Sequence, residues 1–373
     1  MIKRQVLLYY LCISLLLFGC ADPKILERVS LAILVGYDVE EEDKVTATVA
    51  LRTVNQELQS VVSIASQTEK TSKGTRIKAS LDSTKQIVAG QLRVILLGKK
   101  LAESGINEAL HTTKMNSEMS SGLYFAIVDG ETKPLIEKKY ENISDIGQHI
   151  FYLLDHNIEE QTILSSTLHE TVRDSYSPYI DMALPLLVQD EDDVHISGLA
   201  IFNGDKMVGK LVGSDPFYVV LVREKYNAGS IQLSIPGEPF KNLSDEIPDE
   251  IAMAIDSIFS KRKIELLNKD TPEFEIDVKV EGRILEIPPS ITTEDPEVIK
   301  KLETEVEKKF EREISRIIKK TQELNSDVFG FGEVYKAHVG TKNVDKKKWK
   351  ELYPTIKVNA NVTVKLLRNG VFD

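Results

Sequence analysis

The sequence is almost without cysteine: it has two in 373 residues, Cys12 and Cys20. Cys12 sits inside an apolar run near the start, so a body beginning at Cys20 carries no second thiol. That excludes an internal disulfide, a thiolate metal site and a cysteine nucleophile, and it leaves the fold to be held by its core. Long apolar runs are also missing. After residue 20 no stretch approaches the ~20 residues that a spanning helix needs. Positive charge is in deficit, with 47 Lys+Arg against 58 Asp+Glu and a net charge of −11. Loss of residues 1–19, which hold Lys3 and Arg4 and no acid, would take it to −13. A surface of this sign repels nucleic acid and anionic headgroups. No nucleic-acid partner is expected, and attachment to a membrane has to come from something other than charge.

What is present begins at the first residue. Lys3 and Arg4 form a basic start, Val6–Phe18 an apolar segment of signal-peptide length, and Leu17-Phe18-Gly19-Cys20 its end. A small residue directly before a cysteine is how a bacterial lipoprotein signal ends: lipid goes onto the thiol and the chain is cut before it. Phe18 is bulkier than that pattern usually carries. An ordinary signal peptide, or an uncleaved anchor with a chance cysteine, is the other reading. Lipid on Cys20 would hold a body of ordinary globular composition, 42% hydrophobic and 28% charged, on the membrane.

Along the chain, Val29–Val35 and the alternating Val45–Leu51 predict a β-hairpin across an acidic turn, and the polar residues 54–74 an exposed loop. Ile77–Ile87 reads as helix, Leu92–Leu97 as strand, Leu101–Met115 as helix and Leu123–Val128 as strand, which implies a sheet with helices packed on it. Thr132–Ser175 turns helical and Ile180–Val188 returns to strand. The acidic run Gln189–Asp193 marks either a domain boundary or only a charged loop. Beyond it lie a hairpin around Asn203-Gly204-Asp205, a short helix with Asp215 as N-cap and Pro216 at N1, and a strand at Phe274–Val280. Asp295 and Pro296 then open a long helix whose stripe runs Ile299, Leu302, Val306, Phe310, Ile314, Ile317, Leu324. Such a stripe can be a coiled-coil seam, but flanking strands favour packing across a sheet. Ile356–Leu366 alternates strictly and reads as the last strand, ending at Asn369-Gly370.

Candidate chemistry is thin. Gly204-Asp205-Lys206-Met207-Val208-Gly209-Lys210-Leu211 nearly matches a phosphate-binding loop, but Leu211 stands where a Mg²⁺-binding hydroxyl is needed, and the context is strand–turn–strand. His149 and His156, seven apart on one helix face, could begin a zinc site, yet no third ligand is evident. His169-Glu170 opens like a zinc-protease motif, but Arg173 takes the place of the second histidine. Gly330-Phe331-Gly332 suggests a tight turn with Phe329 or Phe331 packed inward. No cofactor, metal site or catalytic residue is assigned. An acidic, lipid-anchored body without chemistry points to a binding or structural component, not an enzyme.

Several segments carry a joint resemblance in their order along the chain. They are the lipobox at Cys20; Val35-Gly36-Tyr37-Asp38; Arg93-Val94-Ile95-Leu96-Leu97-Gly98 with Leu101-Ala102-Glu103-Ser104-Gly105; and Ser197-Gly198-Leu199-Ala200-Ile201-Phe202 with Asp205-Lys206-Met207-Val208-Gly209. Val278-Lys279-Val280-Glu281-Gly282, Asp327-Val328-Phe329-Gly330-Phe331-Gly332 and Trp349-Lys350-Glu351-Leu352-Tyr353-Pro354 complete the set. In this order they resemble the C subunits of spore nutrient germinant receptors, the Ger(x)C lipoproteins of spore-forming Bacillota, a family that usually has a second tryptophan before the last strand, whereas Trp349 is the only one here. The resemblance implies a non-enzymatic three-domain α+β lipoprotein on the outer face of the spore inner membrane. It would act with A and B subunits in nutrient-triggered germination, whether or not it touches the nutrient itself. Cys20, as lipidation site, is the one residue to which a defined role carries over.

The expectation is thus an α+β, multi-domain protein of mixed sheets with packed helices and one long amphipathic helix at about 296–325. Its parts would be a signal peptide at 1–19, a lipidated tether at 20–28, an N-terminal α/β domain at 29–130, a helix-rich middle domain at 131–190 and a C-terminal α+β domain at 191–373. A solute-binding lipoprotein of a transporter is the alternative. It needs two similar lobes around a cleft, and the two halves of this sequence read differently.

Overall fold

The computed structural model describes residues 28–40, 44–54, 60–243 and 246–367. The expected signal segment, Cys20 and the Asn369-Gly370 end of the last strand lie outside them.

The first sheet is built on β1 (Val29–Val39), an apolar run buried on both faces. Antiparallel to it lies β2 (Val45–Val54), and antiparallel to β2 lies β3 (Ser60–Glu69). On the other side β1 pairs in parallel with the short β4 (Gln86–Val88) and with β5 (Val94–Gly98). The parallel run continues through β6 (Tyr124–Val128) to β7 (Ala183–Gln189). The antiparallel β8 (Val194–Asn203) and β9 (Lys206–Val212) finish it. Parallel neighbours need crossovers, and these supply the helices that cover both faces. The helices are α1 (Ser72–Asp82), α2 (Lys99–Ser104), α3 (Asn107–Lys114), α4 (Thr132–Glu137), α5 (Ile146–Glu159) and α6 (Leu168–Tyr176). Ala102, Ile106, Leu110 and Leu168 from α2, α3 and α6 pack on the face that carries Val35, Val49 and Phe125. Leu135, Ile146, Ile150 and Leu154 from α4 and α5 pack on the face that carries Leu34, Leu96 and Val128.

The second sheet runs β10 (Ile231–Pro236), β11 (Glu250–Asn268), β12 (Glu273–Glu286), β13 (Lys357–Leu367), with β13 parallel to β12. Four helices accompany it: α7 (Asp215–Arg223), α8 (Pro296–Glu323), α9 (Phe331–Val339) and α10 (Lys346–Leu352). The stripe of α8 is buried along Leu302, Val306, Phe310, Ile314 and Ile317. It packs against this sheet and against α7, where Phe310 meets Phe217 and Tyr218 edge-on at centroid distances of 5.6 and 5.5 Å. The coiled-coil alternative is thereby removed. No described helix is long and apolar enough to cross a membrane.

Several local expectations are corrected. Residues 60–69, expected as loop, form β3, because a Ser/Thr/Gln-rich strand can pair at a sheet edge without an apolar face of its own. The helix expected over 101–115 is two helices, broken at Gly105, whose φ is +129°. Gln86 and Ile87, expected as the end of a helix over 77–87, belong to β4, and the helix stops at Asp82. The N-cap of α7 is Ser214 rather than Asp215. Asp215 is instead drawn to α8, where Arg316 Nη2 donates to its Oδ1 at 2.5 Å and Lys320 Nζ lies 3.6 Å from its Oδ2. Asp295 does cap α8, accepting from the Glu297 N–H at 2.9 Å. The acidic run Gln189–Asp193 lies at the turn of the β7–β8 hairpin, where Asp190 N donates to Asp193 O at 2.9 Å.

Candidate functional site

The densest polar arrangement lies where the two sheets meet. The loop after α8 carries Ser326 and Asp327, and the segment before β7 carries Asp181; all three are buried. The two aspartates are zipped by backbone: Asp181 N donates to Asp327 O at 2.8 Å, and Asp327 N donates to Asp181 Oδ2 at 2.7 Å. The Asp327 carboxylate then gathers the following turn. Its Oδ1 accepts from Gly330 N at 2.9 Å and Phe331 N at 3.2 Å, and its Oδ2 accepts from Gly332 N at 2.8 Å. The Trp349 indole of α10 donates to the same Oδ2 at 3.1 Å. One carboxylate therefore satisfies three N–H groups at the start of α9 and pins a second helix to it.

Asp181 carries the junction across to the first sheet. Its Oδ1 accepts from Gly204 N at 3.1 Å, in the β8–β9 turn, and its Oδ2 accepts from Lys350 Nζ at 2.5 Å. Lys350 also donates to Asn325 O at 3.0 Å, and Ser326 Oγ to Phe202 O at 2.5 Å. Burial pushes the Asp327 carboxyl up to about 7, with the negative charge of Asp181 adding to it and the N–H groups of Gly332, Phe331 and Gly330 opposing it. Burial pushes the Lys350 ammonium down, against the attraction of Asp181. Apolar rings wall the cluster: Trp349 stacks on Tyr335 at 5.5 Å and meets Phe274 edge-on at 6.4 Å. Every carboxylate oxygen here is occupied by a protein donor, so the cluster joins elements and presents no open ligand face.

The residues singled out from the sequence fall in several places. Gly330-Phe331-Gly332 and Trp349 belong to this junction, and Phe329 and Phe331 are both buried, as the turn reading expected. Gly204–Leu211 is the β8–β9 hairpin, with Gly204 at φ +64°. His149 and His156 share α5 but meet no third ligand among the described residues; His149 Nε2 sits 3.5 Å from Asp193. His169 is exposed. Glu170 completes a capping box: Thr167 Oγ1 accepts from Glu170 N at 3.3 Å and donates back to Glu170 Oε2 at 2.7 Å. Burial raises the Glu170 pKa, but the Ser165 and Thr167 hydroxyl donors outweigh it and hold the carboxyl below its ordinary value. Cys20 lies outside the described residues.

The sequence reading missed Asp181, Asp327 and Lys350 as partners. It also missed Asp38, the end of the Val35-Gly36-Tyr37-Asp38 segment. The Asp38 carboxylate accepts from Thr132 N and Thr132 Oγ1 at 2.8 Å each and from Lys133 N at 3.0 Å, which caps α4. Gly36 lets α4 approach: a Cβ there would lie 2.3 Å from Thr132 Oγ1. Asp38 lies two positions after Gly36 and Asp327 three before Gly330, a proximity that surface turns share, and nothing local marks Asp181 or Lys350.

The architecture is that of a two-sheet α+β protein with a buried junction. Comparison with known proteins places it. A family profile described as "Spore germination protein N-terminal domain" matches residues 22–189. A second, "Spore germination B3/ GerAC like, C-terminal", matches residues 197–370. The chain is 26% identical over 379 residues, 100% of both proteins, to "Spore germination protein GerQC" of Bacillus cereus. Among solved structures, the crystal structure of the GerBC protein superposes with a TM-score of 0.54 at 18% identity, over 89% of this chain and 96% of that one. The chain belongs to the spore germination receptor C subunit family.

Proposed function

We propose that this chain is the non-enzymatic, lipid-anchored C subunit of a nutrient germinant receptor. It would be held through lipid on Cys20 at the outer face of the spore inner membrane and would act with membrane A and B subunits. The observation that carries the reading is end-to-end likeness: two germination profiles lie in sequence between residues 22 and 370. The unequal sheets, one of nine strands and one of four, speak against the paired lobes of a transporter's solute-binding protein. In this reading the Asp327 junction keeps the two sheets as one rigid body, so that a partner docked on one sheet moves the other.

The test is nutrient-triggered germination of spores lacking this chain, followed as loss of optical density across amino acids, sugars and nucleosides. Loss of response to one nutrient class, with normal vegetative growth, is the expected result. A normal response to every class in a strain with no other receptor would overturn the proposal.

A further inference from the structure

A cavity of about 650 Å³ opens between α1, the β1–β2 face of the first sheet and the end of α3. That size suits a small organic ligand. Its floor is apolar and made of small or branched residues, Ala32, Val35, Ala47 and Val49, and two flexible walls come from Met115 and Met119. Tyr37 projects from β1 into this floor and is only 7% exposed. Its hydroxyl has no hydrogen-bond partner among the described residues. It is not sealed off, and stands open to water or to a ligand in the chamber.

Charge at the mouth is uneven. Lys73 and Arg76 come from α1, and His111 and Glu118 from α3 and the loop after it. Among the described residues the Arg76 guanidinium makes no ion pair, and it is close enough to Tyr37 to oppose the upward push that burial gives the phenol. α1 itself is firmly seated, with Gln67 Nε2 donating to Asp82 Oδ2 at 2.7 Å and Lys78 Nζ 3.2 Å from Glu69. A partly buried cation and a hydroxyl without a protein partner among the described residues thus face one apolar chamber.

We infer that this cavity binds a small organic carboxylate with a compact apolar body. The body lies on Val35, Val49 and the methionines, the carboxylate pairs with Arg76, and the Tyr37 hydroxyl donates to it. The inference rests on the cavity and is independent of the germination reading. A protein segment is the competing occupant, since Ile77 and Leu81 stand 57% and 79% exposed beside the mouth. The Tyr37 hydroxyl at the floor favours the small molecule, because a docked helix would span the mouth without reaching it.

The test uses the full chain in nanodiscs of zwitterionic lipid, titrated with trifluoromethylbenzoate and followed by fluorine NMR. The matching benzyl alcohol and benzylamine serve as neutral and cationic probes. Saturable binding of the benzoate is expected, about tenfold tighter than either control and about tenfold weakened by Arg76→Ala, the scale of a charge-assisted hydrogen bond. Tyr37→Phe keeps the ring and the fold and should weaken binding severalfold. Signals that grow linearly without saturation would overturn the inference, as would equal affinity for the three probes or benzoate binding untouched by Arg76→Ala. Absent carboxylate binding, with loss of subunit co-purification in the Ile77→Ser, Leu81→Ser double variant, would give the groove to a protein contact and also overturn it. Normal germination of spores lacking the chain would sink the receptor proposal and leave this result standing.

Discussion

Glu307 Oε1 accepts the backbone N–H of Val364 at 2.9 Å. The same bond recurs on either side, from Leu366 N to Glu303 at 2.9 Å and from Val362 N to Glu311 at 3.0 Å. Four residues of helix rise ~6 Å and two residues of strand ~6.6 Å, so glutamates four residues apart on α8 meet successive outward N–H groups two residues apart on β13. The helix thereby covers a sheet edge that would otherwise offer itself to another chain. Each single Glu→Ala change in this ladder is expected to cost about 1 kcal/mol. The triple Ala variant is expected to self-associate beyond the parent's state, whereas the triple Gln variant, which keeps its acceptors, elutes like the parent. Urea unfolding and size-exclusion chromatography check this; a triple Ala variant with the parent's stability and elution would remove the ladder's role.

The Asp327 carboxyl gives the fold a pH dependence of definite sign. Its folded pKa, about 7, lies above the ordinary aspartate value of 3.8. Between those values the folded state binds more protons than the unfolded one, so this group's contribution to stability falls as pH rises from about 4 to about 7 and is flat above. Carboxyls held low, such as Asp129 and Glu313, act below that window and with the opposite sign. Subtracting the stability of Asp327→Asn from that of the parent at each pH isolates the term. The difference is expected to shrink between pH 5 and pH 7, with the variant less stable throughout because its amide turns an N–H toward existing donors. A difference independent of pH would mean Asp327 ionises normally.

Gly332 and Trp349 are locked together. A Cβ on Gly332 would lie 2.5 Å from the Trp349 Nε1 and 2.6 Å from the Tyr179 carbonyl oxygen. Gly332→Ala must therefore push α10 away or shift the backbone, at a cost of about 1–3 kcal/mol. Trp349 is the sole tryptophan of the chain and is 1% exposed, so its emission reports on the junction alone. Red-shifted emission is expected in the variant before any global unfolding. Unchanged emission and stability would show that the packing tolerates the methyl.

Much of this architecture was legible because its elements carry regular signals. The stripe on α8 and the alternation on β13 follow the periods of helix and strand, and Asp295-Pro296 marks a start that the structure keeps. Less legible were elements whose identity depends on a neighbour. β3 is polar and exists by pairing with β2. β11 goes unread in the sequence: it is a 19-residue strand bent where Ser257 takes φ +51°, and charged residues interrupt its alternation. The junction was half visible. The two glycines and the tryptophan drew notice, but Asp181 and Asp327 are 146 positions apart, and no periodicity relates residues that only tertiary folding brings together.

Cys20 yields the last prediction. Without residues 1–19 the chain would carry −13 and be repelled by anionic lipid, and no described helix is long and apolar enough to span a bilayer. Lipid on Cys20 would have to hold it, and two or more acyl chains at ~0.8 kcal/mol per buried CH₂ suffice where one would only visit. Cys20→Ala alone is an ambiguous test, since the uncleaved apolar segment could then serve as the anchor. The decisive variant replaces residues 1–19 with a conventional secretory signal and carries Ala at position 20. It is expected to leave the membrane pellet for the soluble fraction with unchanged circular dichroism, because the described cores of both sheets are built from Val29 onward. If that cleaved variant sediments with membranes as firmly as the parent, a protein contact and not the lipid retains the chain.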